Sequence, residues 1–523
     1  MAPKKKQKMP KQKKGKIRSA PPRRPQPKVA PKPVKQLPPV VKSVLTTKPE
    51  ERKPDVPPVV EQQPTSNVAI QLVRGMRDIL PKEQGYWQWL REQARKTSDA
   101  FSFGRIDLPI IEYTKLYERP LGPTSDVVSK EMFSFVDRSG LKVSLRPEGT
   151  AGAVRAYLEH GMQSLPQPVR LMYFGPMFRY ERPQAGRYRQ HHQLGFEVFG
   201  DGQPVSDAII MVAAHHFLTG LGLTVQFQVN SLGCSADRDA FTGRLVEFLK
   251  PSKRELCEDC QVRLVKNPLR VLDCKVAACR AIVAKAPQMI DHLCEPCRDH
   301  LMAVLEYLDE AGVLYALNPL VVRGFDYYTR TIFEIWPTGQ TPVVTESPVV
   351  EPSAVVEPSA PDAIGGGGRY DTLVEMLGGR ATPACGVGLG LERIIKTLRE
   401  REIRPPAPPR PDVFLAQLGD TARKSCFGLL LEFQTRGLTV AEAFTKSALR
   451  DQLGAASERG VPLTIIIGHK EVVDGTAIMR DMGSGVQEVV DRKKVVDAVV
   501  KRLEKLERER ITALDVVVPK PVQ

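Results

Sequence analysis

The chain has 523 residues, of which 42% are hydrophobic, 26% charged and 6% aromatic, and its formal net charge is +16. At roughly 100–200 residues per domain this length predicts two to four domains and excludes a single small module. Residues 1–67 contain 18 Lys and Arg against 4 Asp and Glu, so nearly all of the net charge lies in this tail. The remaining chain is near neutral, and its overall charge is no argument for nucleic-acid binding.

The N-terminal tail, residues 1–67, combines lysine runs with 15 prolines. Such a composition buries too little apolar surface to offset the entropy of ordering, so it predicts disorder. The tail has no apolar core of a secretory signal, and no stretch of the chain reaches the ~18 apolar residues of a membrane span. Nine cysteines in a chain of this length do not indicate a secreted disulfide scaffold. We therefore expect a cytoplasmic protein with no membrane contact.

Two strand-like runs flank a polar loop between residues 171 and 200, which predicts a long β-hairpin. In the second strand, period-2 alternation places the polar or small residues on one face, namely His191, Gln193, Gly195 and Glu197. The end of the first strand and the loop carry four arginines: Arg179, Arg182, Arg187 and Arg189. Planar guanidinium groups around a polar sheet face suit a polyanion such as a triphosphate or an RNA end.

Residues 232–310 are mostly helical in pattern and rich in cysteine, and they separate two stretches of strand-like sequence. They are predicted to form an insertion. Two C-x2-C pairs in it, Cys257 with Cys260 and Cys294 with Cys297, predict a structural zinc site. Cys274 and Cys279 lie between the pairs and are alternative ligands. The other interpretation is that these are reduced, buried cysteines acting as small hydrophobic residues.

Proline-rich segments divide the rest of the chain. Residues 338–362 contain an imperfect six-residue repeat (VVTESP, VVEPSA, VVEPSA) and are predicted to be a disordered loop. Residues 401–411 are predicted to be a linker. Residues 412–508 alternate strand-like runs with helix-length polar segments, which predicts a small α/β domain followed by a tail at 509–523.

Four further segments carry polar or glycine-rich patterns: LRPEGTAG at Leu145–Gly152, VRGFDYYTRTIFE at Val322–Glu334, GGGGRYD at Gly365–Asp371 and GVGLGLERI at Gly386–Ile394. The P-loop pattern and the dinucleotide-binding pattern are both absent from the sequence. This argues against Walker-type and Rossmann nucleotide sites.

Taken together, these segments resemble histidyl-tRNA synthetase, a class II aminoacyl-tRNA synthetase, from about Leu72 to about Val499. IDLPIIEYTKLY around Pro109 resembles motif 1, the hairpin motif 2, and GVGLGLERI motif 3. VRGFDYYTRT and GGRYD resemble the two signatures of the histidine enzyme. The resemblance implies an α/β (α+β) fold. A mostly antiparallel catalytic sheet flanked by helices would span 68–231 and 311–400, around the helical insertion, with an anticodon-binding domain at 412–508.

The resemblance also implies roles for individual residues. Glu148 and Thr150 match positions that hold the α-ammonium of histidine, and Glu197 and Tyr328 match those that read its imidazole. The full set of implied histidine-binding residues is Glu148, Gly149, Thr150, Arg179, Gln193, Glu197, Arg323, Tyr327, Tyr328 and Tyr370. A neutral imidazole has one N–H and one bare nitrogen, so a carboxylate and a phenol can pair with both edges.

For catalysis, Arg179 and Arg323 match the two cations at the α-phosphate of ATP. The implied ATP-binding residues are Arg179, Arg187, His191 and Arg393. His191 departs from the family, which most often has an aromatic such as Phe at this adenine-stacking position. Arg182 and Gln184 match positions that face the acceptor end of the tRNA.

The implied activity is ATP-dependent ligation of L-histidine to histidine tRNA by a homodimer assembled through motif 1, with ATP bound together with Mg²⁺. One alternative is a non-catalytic relative, such as a regulatory subunit of histidine biosynthesis or a tRNA sensor. Another is a class II synthetase for a different amino acid. Arg179, Arg323, Arg393 and the C-terminal domain favour an enzyme, and Glu197, Tyr327 and Tyr328 favour histidine.

Overall fold

The computed structural model describes residues 69–121, 127–181, 187–323, 325–338 and 363–515. The tail at 1–67 and nearly all of the repeat loop therefore lie outside the described residues. Within the described part, none of the helices combines the length and the apolar composition that a membrane span requires.

The described residues form strands β1 to β16, whose bounds in chain order are Gly104–Arg105, Ile111–Tyr113, Ser134–Val136, Lys142–Leu145, Val169–Phe178, Gln190–Phe199, Val225–Ser231, Tyr315–Leu317, Thr329–Pro337, Gly365–Arg369, Ala384–Gly390, Val413–Gln417, Val440–Glu442, Leu463–Ile467, Thr476–Asp481 and Gln487–Asp491.

They also form helices α1 to α14, whose bounds are Gln84–Ala100, Lys115–Leu121, Thr150–Glu159, Pro204–Thr219, Ser235–Leu249, Glu258–Lys266, Ala277–Val283, Glu295–Glu310, Leu373–Met376, Leu391–Glu400, Asp420–Thr435, Leu449–Glu458, His469–Asp474 and Val495–Asp515. Single 3₁₀ turns occur at Pro81–Glu83, Met162–Ser164, Lys253–Glu255, Pro268–Val271, Met289–His292 and Arg492–Lys494, and a π-helical turn at Val127–Glu131.

The largest sheet has eight strands in the order β1-β5-β6-β11-β10-β9-β7-β8. Its neighbours are antiparallel except for the outer pairs β1–β5 and β7–β8. A three-stranded antiparallel sheet, β2-β4-β3, lies in the motif 1 region. The predicted mixed, largely antiparallel sheet flanked by helices is confirmed.

Hydrophobic cores form on both faces of this sheet, because successive side chains of its central strands point to opposite faces. Leu194, Phe196 and Val198 of β6 pack with α1, α4, α8 and α10. Helix α10 contributes Leu391 and Ile394 to this core, at the spacing of one helix face. On the opposite face, the residues of β5 and β6 contact α3 and the insertion.

Helices α5 to α8 occupy residues 235–310, within the predicted insertion. They follow β7 in the chain and precede β8. The apolar residues of α5, α6 and α7 join the same core as helix α3, whereas those of α8 pack in the core on the other face of the sheet. The start of the insertion is fixed to strand β9, because the Leu232 N–H donates to the Arg330 carbonyl and the Arg330 N–H to the Gly233 carbonyl.

The C-terminal residues form a separate five-stranded sheet in the order β13-β12-β14-β15-β16, with its own cores on both faces. Three of its strands match the predicted runs, whereas β15 and β16 lie in sequence to which no strands were assigned. The last helix, α14, runs to Asp515 and so extends past the predicted end of the domain at residue 508. Its extension, ERITALD, contains no proline or glycine to end a helix.

Candidate active site

A cavity of about 380 Å³ opens on the face of the large sheet that carries the polar side of β6. This volume lies within the roughly 300–1,000 Å³ of ligand sites. Ten of the residues predicted from the sequence line it: Glu148, Thr150, Arg179, Arg187, His191, Gln193, Arg323, Tyr327, Tyr328 and Arg393. They come from four separate segments of the chain, which the fold brings to one place.

The inner end of the cavity, at Thr150, adjoins the buried carboxyl group of Glu197. The Thr150 hydroxyl donates to its Oε1 at 2.9 Å, and the Tyr370 hydroxyl donates to its Oε2. Glu197 is 1% exposed, and this burial raises the pKa of its carboxyl to about 8. Glu197 is therefore linked to the cavity by its hydrogen bond with Thr150, and Tyr370 by its hydrogen bond with Glu197.

Glu148 occupies the N-terminus of helix α3. The backbone N–H groups of Thr150 and Ala151 donate to its carboxylate oxygens at 2.6 and 2.8 Å. These bonds satisfy donors that a helix start leaves free and place negative charge where the helix dipole favours it. Even so, complete burial raises the pKa of Glu148.

Tyr173 is a central residue of this site that sequence analysis missed. Its ring lies against Gly195 across the hairpin: a Cβ atom at Gly195 would sit 2.1 Å from the Tyr173 Cζ. At Gly149, beside helix α3, the same distance would be 2.3 Å. The two glycines are thus required by close approach of this ring. The contact depends on the hairpin register, which pairs Tyr173 with Gly195 and which no sequence motif specifies.

The predicted signature around residues 325–328 forms a turn of stacked aromatic rings. Phe325 stacks on Tyr327 with ring centroids 5.3 Å apart. Burial raises the pKa values of Tyr327 and Tyr328, so both remain neutral phenols at physiological pH. Arg238 of helix α5 holds the turn by donating to the carbonyls of Asp326 and Tyr328 at 3.0 and 3.2 Å.

Arg179 and Arg323 both line the cavity beside this aromatic turn. Arg179 donates to the Pro147 carbonyl at 2.9 Å, and its guanidinium lies 5.6 Å from the Phe325 ring centre. Arg323 donates to Glu334 Oε1 at 3.2 Å. A Cβ at Gly366 would lie 2.5 Å from Arg323 Nη1, so the glycine makes room for this guanidinium. The two cations flank the same cavity.

The remaining predicted ATP residues lie toward the start of α10. Arg393 donates to the Ala363 carbonyl at 2.6 Å. Burial, followed by the charge of Arg179, lowers the pKa of His191 to about 3, so its imidazole is neutral. The neighbouring His192 instead pairs with Glu392, with Nδ1 and Oε1 2.8 Å apart. His192 is thus a structural histidine.

Arg182 and Gln184, predicted to face the tRNA acceptor end, lie outside the described residues. Arg189 is structural: its guanidinium stacks 3.6 Å from the Tyr180 ring centre and donates to the Arg74 carbonyl. Carboxylates that the sequence did not single out also line the cavity, namely those of Glu131, Glu181, Glu334 and Glu392.

Known proteins match this chain over both its catalytic and C-terminal parts. The family described as Histidyl-tRNA synthetase matches residues 75–236, and the family described as Anticodon binding domain matches residues 412–502. A histidine–tRNA ligase of Pelotomaculum thermopropionicum is 44% identical over 440 residues, which are 84% of this chain and 97% of the relative. The chain belongs to the histidyl-tRNA synthetase family.

Other members of the histidyl-tRNA synthetase family agree. A histidine–tRNA ligase of Dehalococcoides mccartyi is 41% identical over 431 residues, 82% of this chain and 99% of the relative. The apo histidyl-tRNA synthetase of S. aureus has 31% identity and a TM-score of 0.67, covering 82% of this chain and all of that one. The predicted family is therefore confirmed.

The comparisons also bear on the non-catalytic alternative. A Bacillus halodurans structure titled as an ATP phosphoribosyltransferase regulatory subunit/histidyl-tRNA synthetase has 19% identity and a TM-score of 0.53. At that identity only the fold is shared. The relatives at 41–44% identity are ligases, so the comparisons support the enzyme and not the regulatory subunit.

The predicted zinc site of this family member needs a correction. Cys257, Cys260, Cys294 and Cys297 do not form one four-thiol group among the described residues. Cys257 and Cys260 group with Cys274 and Cys279, whereas Cys294 and Cys297 group with Cys234 and Asp237. The spacing of two C-x2-C pairs does not specify which pair completes which site, because this depends on how the insertion folds.

Proposed function

We propose that this chain catalyses ATP-dependent ligation of L-histidine to its cognate tRNA through a histidyl-adenylate. The observation that carries the proposal is the buried Glu197, hydrogen-bonded by two hydroxyls, next to a cavity that Arg179 and Arg323 line. A buried acceptor in a polar pocket selects a ligand that can pair with it, because a ligand without the matching donor leaves it unpaired.

Histidine would bind at the inner end of the cavity. Its imidazole N–H would pair with the Glu197 carboxyl, and the Tyr328 phenol would donate to the bare ring nitrogen. Glu148 and Thr150 would hold the α-ammonium, and Gln193 borders the same space. The buried side chains of Tyr173, Tyr327 and Tyr328 support this orientation, because they would exclude water from the imidazole ring of histidine.

In the first half-reaction, an oxygen of histidine's carboxylate attacks the α-phosphorus of ATP, and the bond to the leaving pyrophosphate breaks. Such a step depends on positioning and on stabilisation of charge at phosphate oxygens. Arg179 and Arg323 would supply this charge at the α-phosphate, and Arg187 and Arg393 would lie along the outer phosphates. No protein group is needed as a strong base, because the carboxylate is already ionised.

The cavity also fits Mg²⁺, which binds through one or two carboxylates plus substrate phosphates. Glu131 and Glu181 line the cavity beside the arginines and supply such carboxylates. When bound, Mg²⁺ would neutralise charge on the phosphates. The cysteines of the insertion take no part in either half-reaction.

In the second half-reaction the tRNA accepts the histidyl group and AMP leaves. The match of residues 412–502 to anticodon-binding domains supports recognition of the tRNA by this part of the chain. Acceptor-end contacts by Arg182 and Gln184 stay predictions of the sequence, as does the cytoplasmic location.

A homodimer through motif 1 is part of the proposal. The motif 1 sheet leaves apolar side chains exposed, with Ile111 at 50% and Val136 at 66%. Arg146 connects this region to the active site, because it donates to the carbonyls of Leu108 and Pro176. Light scattering should find a dimer that Ile111→Glu dissociates. The control Val473→Glu, at a valine of the C-terminal domain that is 71% exposed, should leave the dimer intact.

The function is tested by charging of tRNA with radiolabelled histidine. The wild-type chain should charge histidine tRNA in the presence of ATP and Mg²⁺, and Glu197→Ala should lose this activity at low histidine concentration. Charging of a different tRNA, or with a different amino acid, would contradict the proposal.

A further inference from the structure

Two clusters of metal-ligating side chains lie in the segment 234–297. In the four-thiol cluster, Cys257, Cys260, Cys274 and Cys279, all four sulfurs lie within 4.8 Å of one another. The base cluster, Cys234, Asp237, Cys294 and Cys297, brings three sulfurs and a carboxylate oxygen equally close. Sequence spacing had suggested one site, so the number of sites and their ligands are both new.

Sulfur separations in the four-thiol cluster fit a metal ion and not a disulfide. The Cys257 and Cys274 sulfurs are 3.8 Å apart. Four sulfurs about 2.3 Å from a central Zn²⁺ lie about 3.8 Å apart at the corners of a tetrahedron. A disulfide needs about 2.05 Å, and all of the cysteines are free thiols.

The backbone around the four-thiol cluster is arranged to stabilise thiolates. Cys257 is the N-cap of helix α6, so its sulfur lies at the positive end of the helix. The Cys257 N–H donates to the Cys279 sulfur at 3.2 Å. Cys260 and Cys279 are fully buried. Such thiolates would be costly without a cation among them.

The base cluster has the same construction with one carboxylate. Cys234 and Cys294 are the N-caps of helices α5 and α8. Asp237 accepts from the Cys234 N–H at 3.2 Å and from the Cys294 N–H at 3.1 Å, which aims its buried carboxylate at the sulfurs. Cys297 is 1% exposed and completes the group. Three sulfurs and one oxygen are a suitable tetrahedral set for Zn²⁺.

We propose that each chain binds two structural Zn²⁺ ions, one in the four-thiol cluster and one in the base cluster. Both sites use four protein ligands and leave no open position for chemistry. The first crosslinks helices α6 and α7, which have nine and seven residues. The second joins the start of α5 to the start of α8, the first and last helices of the insertion.

The base cluster has a direct connection to the active-site turn. Helix α5, which it anchors, carries Arg238, and Arg238 holds the carbonyls of Asp326 and Tyr328. The four-thiol cluster fixes α6, which ends beside Asn267, and the amide of Asn267 donates to Asp326 Oδ1 at 2.8 Å. The two metal sites would thus support the turn from two sides.

The test is the metal content of the full-length protein purified without chelators, measured by elemental mass spectrometry against amino-acid analysis. The wild type should hold two zinc ions per chain. Cys260→Ser should lose one ion, Cys297→Ser should lose one ion, and the double variant should lose both. Cys426→Ser removes a buried thiol of the C-terminal domain and should keep two.

Three results would overturn the proposal. The first is a wild type with well below one zinc per chain or with iron in its place. The second is a single zinc ion that is lost in Cys260→Ser and in Cys297→Ser but retained in Cys274→Ser and in Cys234→Ser. This pattern would indicate the one shared site that the spacing of the C-x2-C pairs predicts. The third is disulfide bonds within either cluster in the alkylated native protein. If a serine variant does not fold, Co²⁺ substitution of the wild type decides, since two tetrahedral thiolate sites should bind two Co²⁺ per chain.

Discussion

Replacing Arg323 by alanine should slow histidine-dependent adenylation by at least about 10²-fold and leave histidine binding nearly unchanged. Arg323 flanks the cavity beside the aromatic turn and would act on charge that accumulates at the α-phosphate. Loss of one such group from a preorganised site costs about 2.7–4 kcal/mol, or 10²–10³ in rate. Histidine affinity should change little because this cation acts on charge that develops only in the transition state.

The structure adds a second contribution to this magnitude. Arg323 neutralises Glu334, whose Oε1 lies 3.2 Å from its Nη1. In the alanine variant that carboxylate would face the incoming phosphates, and two like charges about 6 Å apart repel by about 3 kcal/mol at an effective dielectric constant near 20. The double variant Arg323→Ala/Glu334→Gln should therefore recover at least about tenfold of the lost rate.

The assay is ATP–pyrophosphate exchange, with kcat and the KM for histidine determined separately. Arg450→Ala is the matched control, because this arginine is exposed on the C-terminal domain and exchange needs no tRNA. Wild-type exchange by Arg323→Ala would refute the assignment of the α-phosphate site. So would a raised KM for histidine with kcat unchanged, since that pattern indicates loss of uniform binding.

Three further predictions follow from burial and charge. Burial raises the pKa of Glu197 to about 8, so the folded chain holds this proton more tightly than the unfolded chain does. The stability that the bound proton contributes is present at low pH and is lost as the pH rises to 8. Glu197→Gln should therefore gain thermal stability relative to wild type between about pH 5 and pH 8, by up to about 1.4 kcal/mol per pH unit, and a constant difference would contradict this. Arg369→Met should lower the free energy of unfolding by about 3–5 kcal/mol, because it removes the guanidinium that binds the buried Asp207 carboxylate at 2.5 Å and leaves His300, at 3.0 Å, beside it; an unchanged urea midpoint would count against it. Deleting residues 1–67 should leave ATP–pyrophosphate exchange intact, but it should raise the KM for tRNA at low salt and make tRNA affinity less dependent on salt concentration. Equal salt dependence in the full-length and truncated proteins would mean that the tail does not contact RNA.

The hairpin could be predicted from sequence because it depends on local alternation. Side chains of β6 alternate between the two faces of the sheet. Gln193 and Glu197 lie on the side of the cavity, whereas Leu194 and Phe196 enter the core. The fold class followed in the same way from the strand-like runs, the helical insertion and the family motifs. The five motif segments also supplied most of the residues that line the cavity.

Residues whose role depends on long-range placement could not be predicted in this way. Tyr173 reaches the site only because two glycines, Gly149 and Gly195, leave space for its ring, and an isolated tyrosine in a strand has no motif. The pairing of His192 with Glu392 joins residues 200 positions apart. The cysteines were recognised as a group, but their division into two clusters depends on how four helices pack.

The central claim is most directly tested by ATP–pyrophosphate exchange on the purified chain with each of the twenty amino acids in turn. The account predicts exchange that depends on histidine and is at least about 10²-fold weaker with the others, since they cannot pair both with Glu197 and with the Tyr328 phenol. Exchange driven equally well by another amino acid, or no exchange with histidine, would contradict it.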